Sequence, residues 1–163
     1  MPPTAEALIN IISKVVKMAK IIDRFEDKYF FLSNFYPSLM VYEGYKVQTA
    51  EHAFQLAKTT HNEERSKVAS ESRPGGAKRR GRQLTLRPDW EDIKVDVMRE
   101  VLQEKFSHPE LKNKLLDTGD ATLVEGNTWH DNFWGDCVCE KCKVIPGRNM
   151  LGKLLMELRE SLR

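Results

Sequence analysis

Apolar residues recur at helical spacing in the first twenty positions, at Leu8, Ile11, Ile12, Val15, Val16 and Ala19. Glu6, Asn10, Lys14 and Lys17 fall between them, so the segment is expected to be an amphipathic helix. Such a helix can serve a membrane or a partner, or pack on its own domain. A basic face of only three lysines is thin for a membrane helix, which makes packing on the domain the expectation. From Ile21 to Val47 the texture becomes aromatic and β-branched. "YFFLSNFYPSLMVYEGYKV" carries turn signals at Ser33-Asn34, Pro37 and Glu43-Gly44, which predict short strands and a hairpin.

Thr49 is a good N-cap for a helix through "AEHAFQLAKTT". Pro-Gly-Gly at 74–76 breaks the chain, with a short helix expected from Ala77. Asp89 can cap a longer helix in which Trp90, Ile93, Val97, Val101, Leu102 and Phe106 share a face. Pro109 opens another helix and Gly119 follows its end. "ATLVEG" reads as a short strand, and Asn149 caps a last helix with Leu151, Leu154, Leu155 and Leu158 inward. The expected fold is mainly α with a small β element (α+β), without repeat or linker. A helical extension over 1–20 precedes one domain over 21–163.

Composition adds exclusions. In 163 residues, 31% charged and 40% hydrophobic, the net charge of +2 is too small to imply a nucleic-acid binder. No run of about 18 apolar residues is present, so no membrane span and no membrane partner are expected. The broken apolar pattern of the N-terminus is unlike a signal peptide. Three clustered cysteines suit a reducing compartment, so a cytoplasmic protein is expected. Nothing in the pattern specifies an oligomeric state.

Candidate chemistry gathers in four places. Glu51, Gln55 and Lys58 lie at i, i+4 and i+7, projecting from one helix face over roughly 10 Å. They could grip a ligand, although a glutamate in a first turn and a lysine near a helix end also suit the helix dipole. "SRPGGAKRRGRQLTLRP", residues 72 to 88, holds six basic residues and no acidic one. Lys78, Arg79, Arg80 and Arg82 there could hold phosphate or form a solvated surface. In "HDNFWG", Asp131 is either a carboxylate in a partly apolar wall, suited to acid–base work, or the first residue of a turn. Cys137, Cys139 and Cys142 supply three thiolates for a structural zinc, with His130, Asp136 or His52 as the fourth ligand, or are three reduced surface thiols.

Seven segments in register resemble the NADAR family, the YbiA-like proteins, over about residues 21 to 161: "FLSNFYPS", "YEGYKVQTAEHAFQLAK", "AKRRGR", "RPDWEDIKVDVMREVLQEKF", "LLDTGDATLVEGN", "DNFWGD" and "GRNMLGKLLMELR". The resemblance implies a YbiA-like fold and a hydrolase of a ribose-to-nitrogen bond. The substrate would be ADP-ribose on modified guanine, in DNA or RNA, or a ribosylated pyrimidine intermediate of riboflavin synthesis. It implies that Glu51, Lys58 and Asp131 are catalytic, Lys58 as an amine nucleophile. Phe35, Trp90 or Trp134 would stack on a base and Lys78 and Arg82 would meet phosphate. Asn34, Gly135 and Asn149 complete the expected substrate contacts. Neither a direct, oxocarbenium-like route nor a Schiff base on Lys58 requires a cofactor. In place of the short glycine-rich loop of many members, this chain carries "CVCEKCKVIP". The alternative reading is a binding module, either for an ADP-ribose-like or NAD-like ligand without turnover, or zinc-stabilised and specific for nucleic acid.

Overall fold

The computed structural model describes residues 1–18 and 20–163, without the side chains of residues 16–18. Ala19 of the expected N-terminal stripe lies outside the described residues, as does the Val16 side chain.

Helix α1, Ala5–Met18, forms as its period predicts. Its expected packing does not: Leu8, Ile11, Ile12 and Val15 are 45 to 59% exposed. An apolar period shows only that a helix has a face to cover, not what covers it, and the rest of the chain closes its core without this one.

Strand β1, Ile21–Ile22, pairs in parallel with β4, Thr122–Leu123. A short 3-10 helix follows over Asp27–Leu32. The expected hairpin then forms from β2, Pro37–Tyr42, and β3, Tyr45–Thr49, with Tyr42 opposite Tyr45. Glu43 and Gly44 turn it with φ of 47° and 85°, the left-handed pair that a two-residue type I′ turn requires. Alternation puts Ser38, Met40 and Tyr42 inward and leaves Leu39 and Val41 exposed.

Helix α2, Ala50–Leu56, starts where expected, with Thr49 Oγ1 accepting from the His52 N–H. It stops before the expected residue 60. The Lys58 N–H reaches back to the Gln55 carbonyl, tightening the end, and Arg65 Nε donates to the Thr59 carbonyl to turn the chain. Helix α3, Asn62–Ala69, has no counterpart in the apolar pattern, because only Val68 is buried.

Helix α4, Pro74–Gly81, begins a turn earlier than Ala77, with Pro74 in its first turn. It packs against α2, with Gly81 against Gln55, and buries Gly76 and Ala77. Helix α5, Trp90–Lys105, is the central strut, its buried face of Trp90, Val97, Met98, Val101 and Leu102 set between α2, β2 and α7, Met150–Ser161. Asp89 occupies the N-cap position of α5 without capping; its carboxylate instead takes both Arg87 donors. Helix α6, Pro109–Asp117, opens at Pro109 as expected, and Gly119 follows at φ 61°.

"ATLVEG" divides between β4 and β5, Gly126–Asn127, which pairs in parallel with β6, Asp136–Cys137. Leu151, Leu154 and Leu155 of α7 face the core and Leu158 is half-buried at its edge. Among the described residues the architecture is mainly helical, with three two-stranded sheets. Among the described residues, no helix is long and apolar enough to cross a membrane.

Candidate active site

A cavity of about 370 Å³ opens where α2, the Ser33–Phe35 turn and the segments 125–126 and 129–134 meet. Its chemistry comes from Glu51, Gln55, Lys58, Lys78, Glu125 and Asp131, its apolar walls from Phe25, Phe30, Phe35, Phe54, Met98, Trp129 and Trp134. Three buried oxygens of lining residues, Asn34 Oδ1, Gln55 Oε1 and Glu125 Oε2, lack a hydrogen-bond partner among the described residues. Buried polar atoms are nearly always satisfied in folded proteins, so Asn34 Oδ1 and Glu125 Oε2 are left for a ligand, whereas Gln55 Oε1 is turned against Gly81.

Local folding explains each position. The Glu51 N–H donates to the Asn34 carbonyl, tying the start of α2 to the Ser33–Phe35 turn. That turn is held from behind by Lys105, fully buried, whose Nζ donates to the Ser33 carbonyl at 2.8 Å. Gln55 Nε2 donates to Glu51 Oε1 at 2.7 Å, one helical turn away. Gly81 of α4 lies against the Gln55 side chain, so that a Cβ there would collide with Gln55 Oε1. Asp131 Oδ1 accepts from the N–H groups of Phe133 and Trp134, at 3.1 and 2.9 Å. Asp131 thus opens the turn of "HDNFWG" and, in the same position, lines the cavity.

Burial decides the electrostatics. It lifts the Glu51 carboxyl above its usual range, opposed by the Gln55 hydrogen bond and by Lys78 and Lys58, and reinforced by Asp131. Burial and the neighbouring Asp131 and Glu51 push Glu125 up to about 8. Burial pulls Lys58 down from its usual value; Glu51 resists, while Lys78, Arg82 and Lys94 add to the fall. The cavity therefore holds one acid, Glu125, that keeps its proton near neutral pH, a second, Glu51, shifted the same way, and an amine shifted toward its neutral form.

Of the expected site residues, Asn34, Phe35, Glu51, Lys58, Lys78, Asp131 and Trp134 line this cavity. Lys78 Nζ stands 5.9 Å from the Phe35 ring centroid and Lys58 Nζ 5.7 Å from that of Phe54. Four others lie outside the lining. Trp90 is buried behind the wall, 5.1 Å from Phe54, whose ring in turn meets Trp134 at 5.3 Å. Arg82 is exposed beyond the rim. Gly135 is buried where a Cβ would strike the Glu125 carbonyl and the Asn127 side chain, so its work is backbone approach. Asn149, at φ 49°, does not cap α7 with its side chain. It bridges Leu123 and Glu125 instead, Nδ2 donating to the Leu123 carbonyl and Oδ1 accepting from the Glu125 N–H.

Sequence reasoning passed over Glu125, Trp129 and Met98. For Glu125 the signal was present in "ATLVEGN", where a lone charge interrupts an otherwise apolar strand. The cysteines form a separate group with His130: one ligand atom from each of the four lies within 4.8 Å of the others. Of the other candidate fourth ligands, His52 is held between Thr49 Oγ1 and the Glu71 carbonyl, and Asp136 accepts from the Gly147 N–H.

The profile of the NADAR domain matches residues 22–163. The N-glycosidase YbiA of Escherichia coli is 42% identical over 139 residues, 83% of either chain. An N-glycosidase of Nostoc punctiforme is 36% identical over 80% of this chain and 84% of its own. A riboflavin biosynthesis protein of Vibrio vulnificus is 37% identical over 84% of this chain and 36% of its own. The solution NMR structure of E. coli YbiA superposes with a TM-score of 0.75 at 40% identity, covering 88% of this chain and 84% of that one. With its fold and its sequence both matching, this chain belongs to the NADAR domain family.

Proposed function

We propose that this protein is an N-glycosidase that hydrolyses the bond between C1 of a ribose and an amino nitrogen of a nucleobase. The observation that carries the reading is the gathering in one cavity of Glu51 and Glu125, whose carboxyls burial pushes up, with Lys58, whose amine burial pulls down. The relatives named as N-glycosidases support it.

Cleavage needs a proton for the departing nitrogen and tolerance of positive charge at C1. Glu125 is the acid best matched to neutral pH, with Glu51 beside it. Asp131 supplies a carboxylate for the developing cation. An amino nitrogen bears a lone pair that can open the ribose ring to an iminium. Lys58 then adds to C1 and the base departs with a proton. The Schiff base that remains is hydrolysed by water, which releases the sugar aldehyde with its phosphate or ADP group still attached and leaves Lys58 an amine. Lys58 lies against Phe54, which keeps part of its stem from water.

A cavity of about 370 Å³ suits one ribosylated base with one phosphate, the phosphate paired with Lys78. This favours a ribosylated aminopyrimidine phosphate, in line with the riboflavin biosynthesis proteins among the relatives. The second reading is ADP-ribose on a guanine amino group in nucleic acid, for which exposed Arg79 and Arg82 offer a place for a second phosphate outside the cavity. Both substrates join ribose to an exocyclic nitrogen, so the same residues serve either.

Mass spectrometry with the two substrates offered side by side tests the reading. Free base is expected from the pyrimidine, and borohydride during turnover should leave a ribose-derived adduct on Lys58. Release of base without a trapped adduct would remove the Schiff base and leave the direct route. Release of neither base, with ligand bound, would make the protein a binding module.

A further inference from the structure

We propose that His130, Cys137, Cys139 and Cys142 bind one zinc ion in a closed tetrahedral site that clamps one wall of the catalytic cavity. The four ligand atoms converge from three separate stretches of backbone: the 128–131 loop, strand β6 and the turn after it. All lie within 4.8 Å of one another, and the three cysteines are unpaired. His130 Nδ1 stands 3.3 Å from Cys142 Sγ and 3.4 Å from Cys139 Sγ. Zinc bonds of about 2.3 Å to sulfur and 2.0 Å to nitrogen at tetrahedral angles place such atoms about 3.5 Å apart. The two separations from His130 thus already match a coordination shell, and the remaining ones lie within 4.8 Å. Between Cys139 and Cys142 the chain folds into a tight turn, with the N–H groups of Cys142 and Lys143 donating to the Cys139 carbonyl. That turn brings both thiols of the C-x-x-C pair to one side.

Ligand chemistry selects the metal. Three thiolates and an imidazole are a soft set that favours zinc over magnesium or calcium, and four protein ligands leave no open position for a water nucleophile. The ion is structural and takes no part in bond cleavage.

What it holds in place follows from the loop. Asn127 anchors residues 128–131 from inside: its Oδ1 accepts from the N–H groups of Trp129 and Asp131, and its Nδ2 donates to the Asp131 carbonyl at 2.8 Å. His130 projects the other way, with a left-handed φ of 68° that a non-glycine residue adopts only under constraint. Coordination of His130 supplies that constraint from outside. Its two chain neighbours, Trp129 and Asp131, line the cavity. Cys137 is the buried anchor, its N–H bonded to Asn132 Oδ1 and its strand paired with Asn127.

The test is elemental analysis of the full chain, purified from zinc-supplemented cells without chelator. About one zinc per chain is expected, falling below about a tenth in Cys139→Ser, Cys142→Ser and His130→Asn, while His61→Asn at an exposed site keeps its full content. Reconstitution with cobalt should give tetrahedral d–d bands and sulfur-to-cobalt charge transfer. Amides of residues 128–131 and 137–143 should exchange faster in chelated wild-type protein, a comparison that does not depend on any variant folding. Less than about a tenth of a zinc per wild-type chain, with no cobalt spectrum, would overturn the proposal, whether or not the protein cleaves a glycoside. So would full zinc content in all three variants.

Discussion

Replacing Glu125 with glutamine should make the protein more stable and less active. Its carboxyl moves from 4.5 to about 8 on folding, mainly because burial disfavours the charge. The folded value lies above the unfolded one, so between those limits the folded chain keeps a proton that the unfolded chain has released. Stability is therefore undiminished below pH 4.5 and declines as pH rises toward 8. The part of that interval below pH 7, about 2.5 pH units at about 1.36 kcal/mol each, comes to roughly 3 kcal/mol. Glutamine keeps the shape without a titrating group and removes that loss. In a chain of this size the melting temperature should rise by roughly 6 to 12 °C at pH 7, less whatever the new amide N–H groups cost if unpaired. Denaturant unfolding of both proteins from pH 5 to 8 reads the effect, with wild-type stability falling relative to that of the variant as pH rises. Activity at pH 7 should drop about 10²-fold or more as the proton donor is lost. Equal slopes with pH in the two proteins would refute the assignment of a buried, protonated Glu125, whatever the activity.

The remaining predictions concern the same frame. Activity should climb with pH while Lys58 gives up its proton and fall above about 8 as Glu125 loses its own; in a pH profile of kcat/KM, Glu125→Gln should lose the alkaline limb, and its persistence there would point to another acid. Gly81→Ala normally favours a helix by roughly 0.5–1 kcal/mol, yet here the new Cβ strikes Gln55. Urea unfolding should show a loss of about 1–3 kcal/mol, with a higher KM as Gln55 leaves Glu51; a gain in stability would mean that Gln55 moves freely. Removal of residues 1–18 should shift the melting temperature by no more than about 2 °C, since the described side chains of α1 bury little. A large drop in calorimetry would show that the helix packs on the domain after all.

Local signals along the chain carried most of the helices. Thr49, Pro109 and the stripe of α5 announced themselves because caps and the 3.6-residue period act over a few neighbours. Helix α3 left no such trace: a helix that buries only Val68 has no apolar stripe to read. Asp89 and Asn149 stood at helix starts but spent their side chains on Arg87 and on the Leu123–Glu125 segment, partners that spacing does not reveal.

The candidate site divides the same way. Glu51 and Lys58 share a helix and its end, and Asp131 and Trp134 a single turn, so their neighbourhood was visible in the linear order. Glu125 comes from the link between β4 and β5, and its character is set by burial beside Glu51 and Asp131, which no sequence window contains. His130 likewise becomes the fourth member of the cysteine group only because β5 and β6 align and bring the 128–131 loop over the C-x-x-C turn. By itself the sequence determined most of the helices, the hairpin, the family and the kinds of side chain available for chemistry, since these depend on residue type and short-range periodicity. Only the tertiary structure decided which carboxyls keep their protons and which thiols meet an imidazole. Both follow from desolvation and from distances of a few ångströms between residues far apart in the chain.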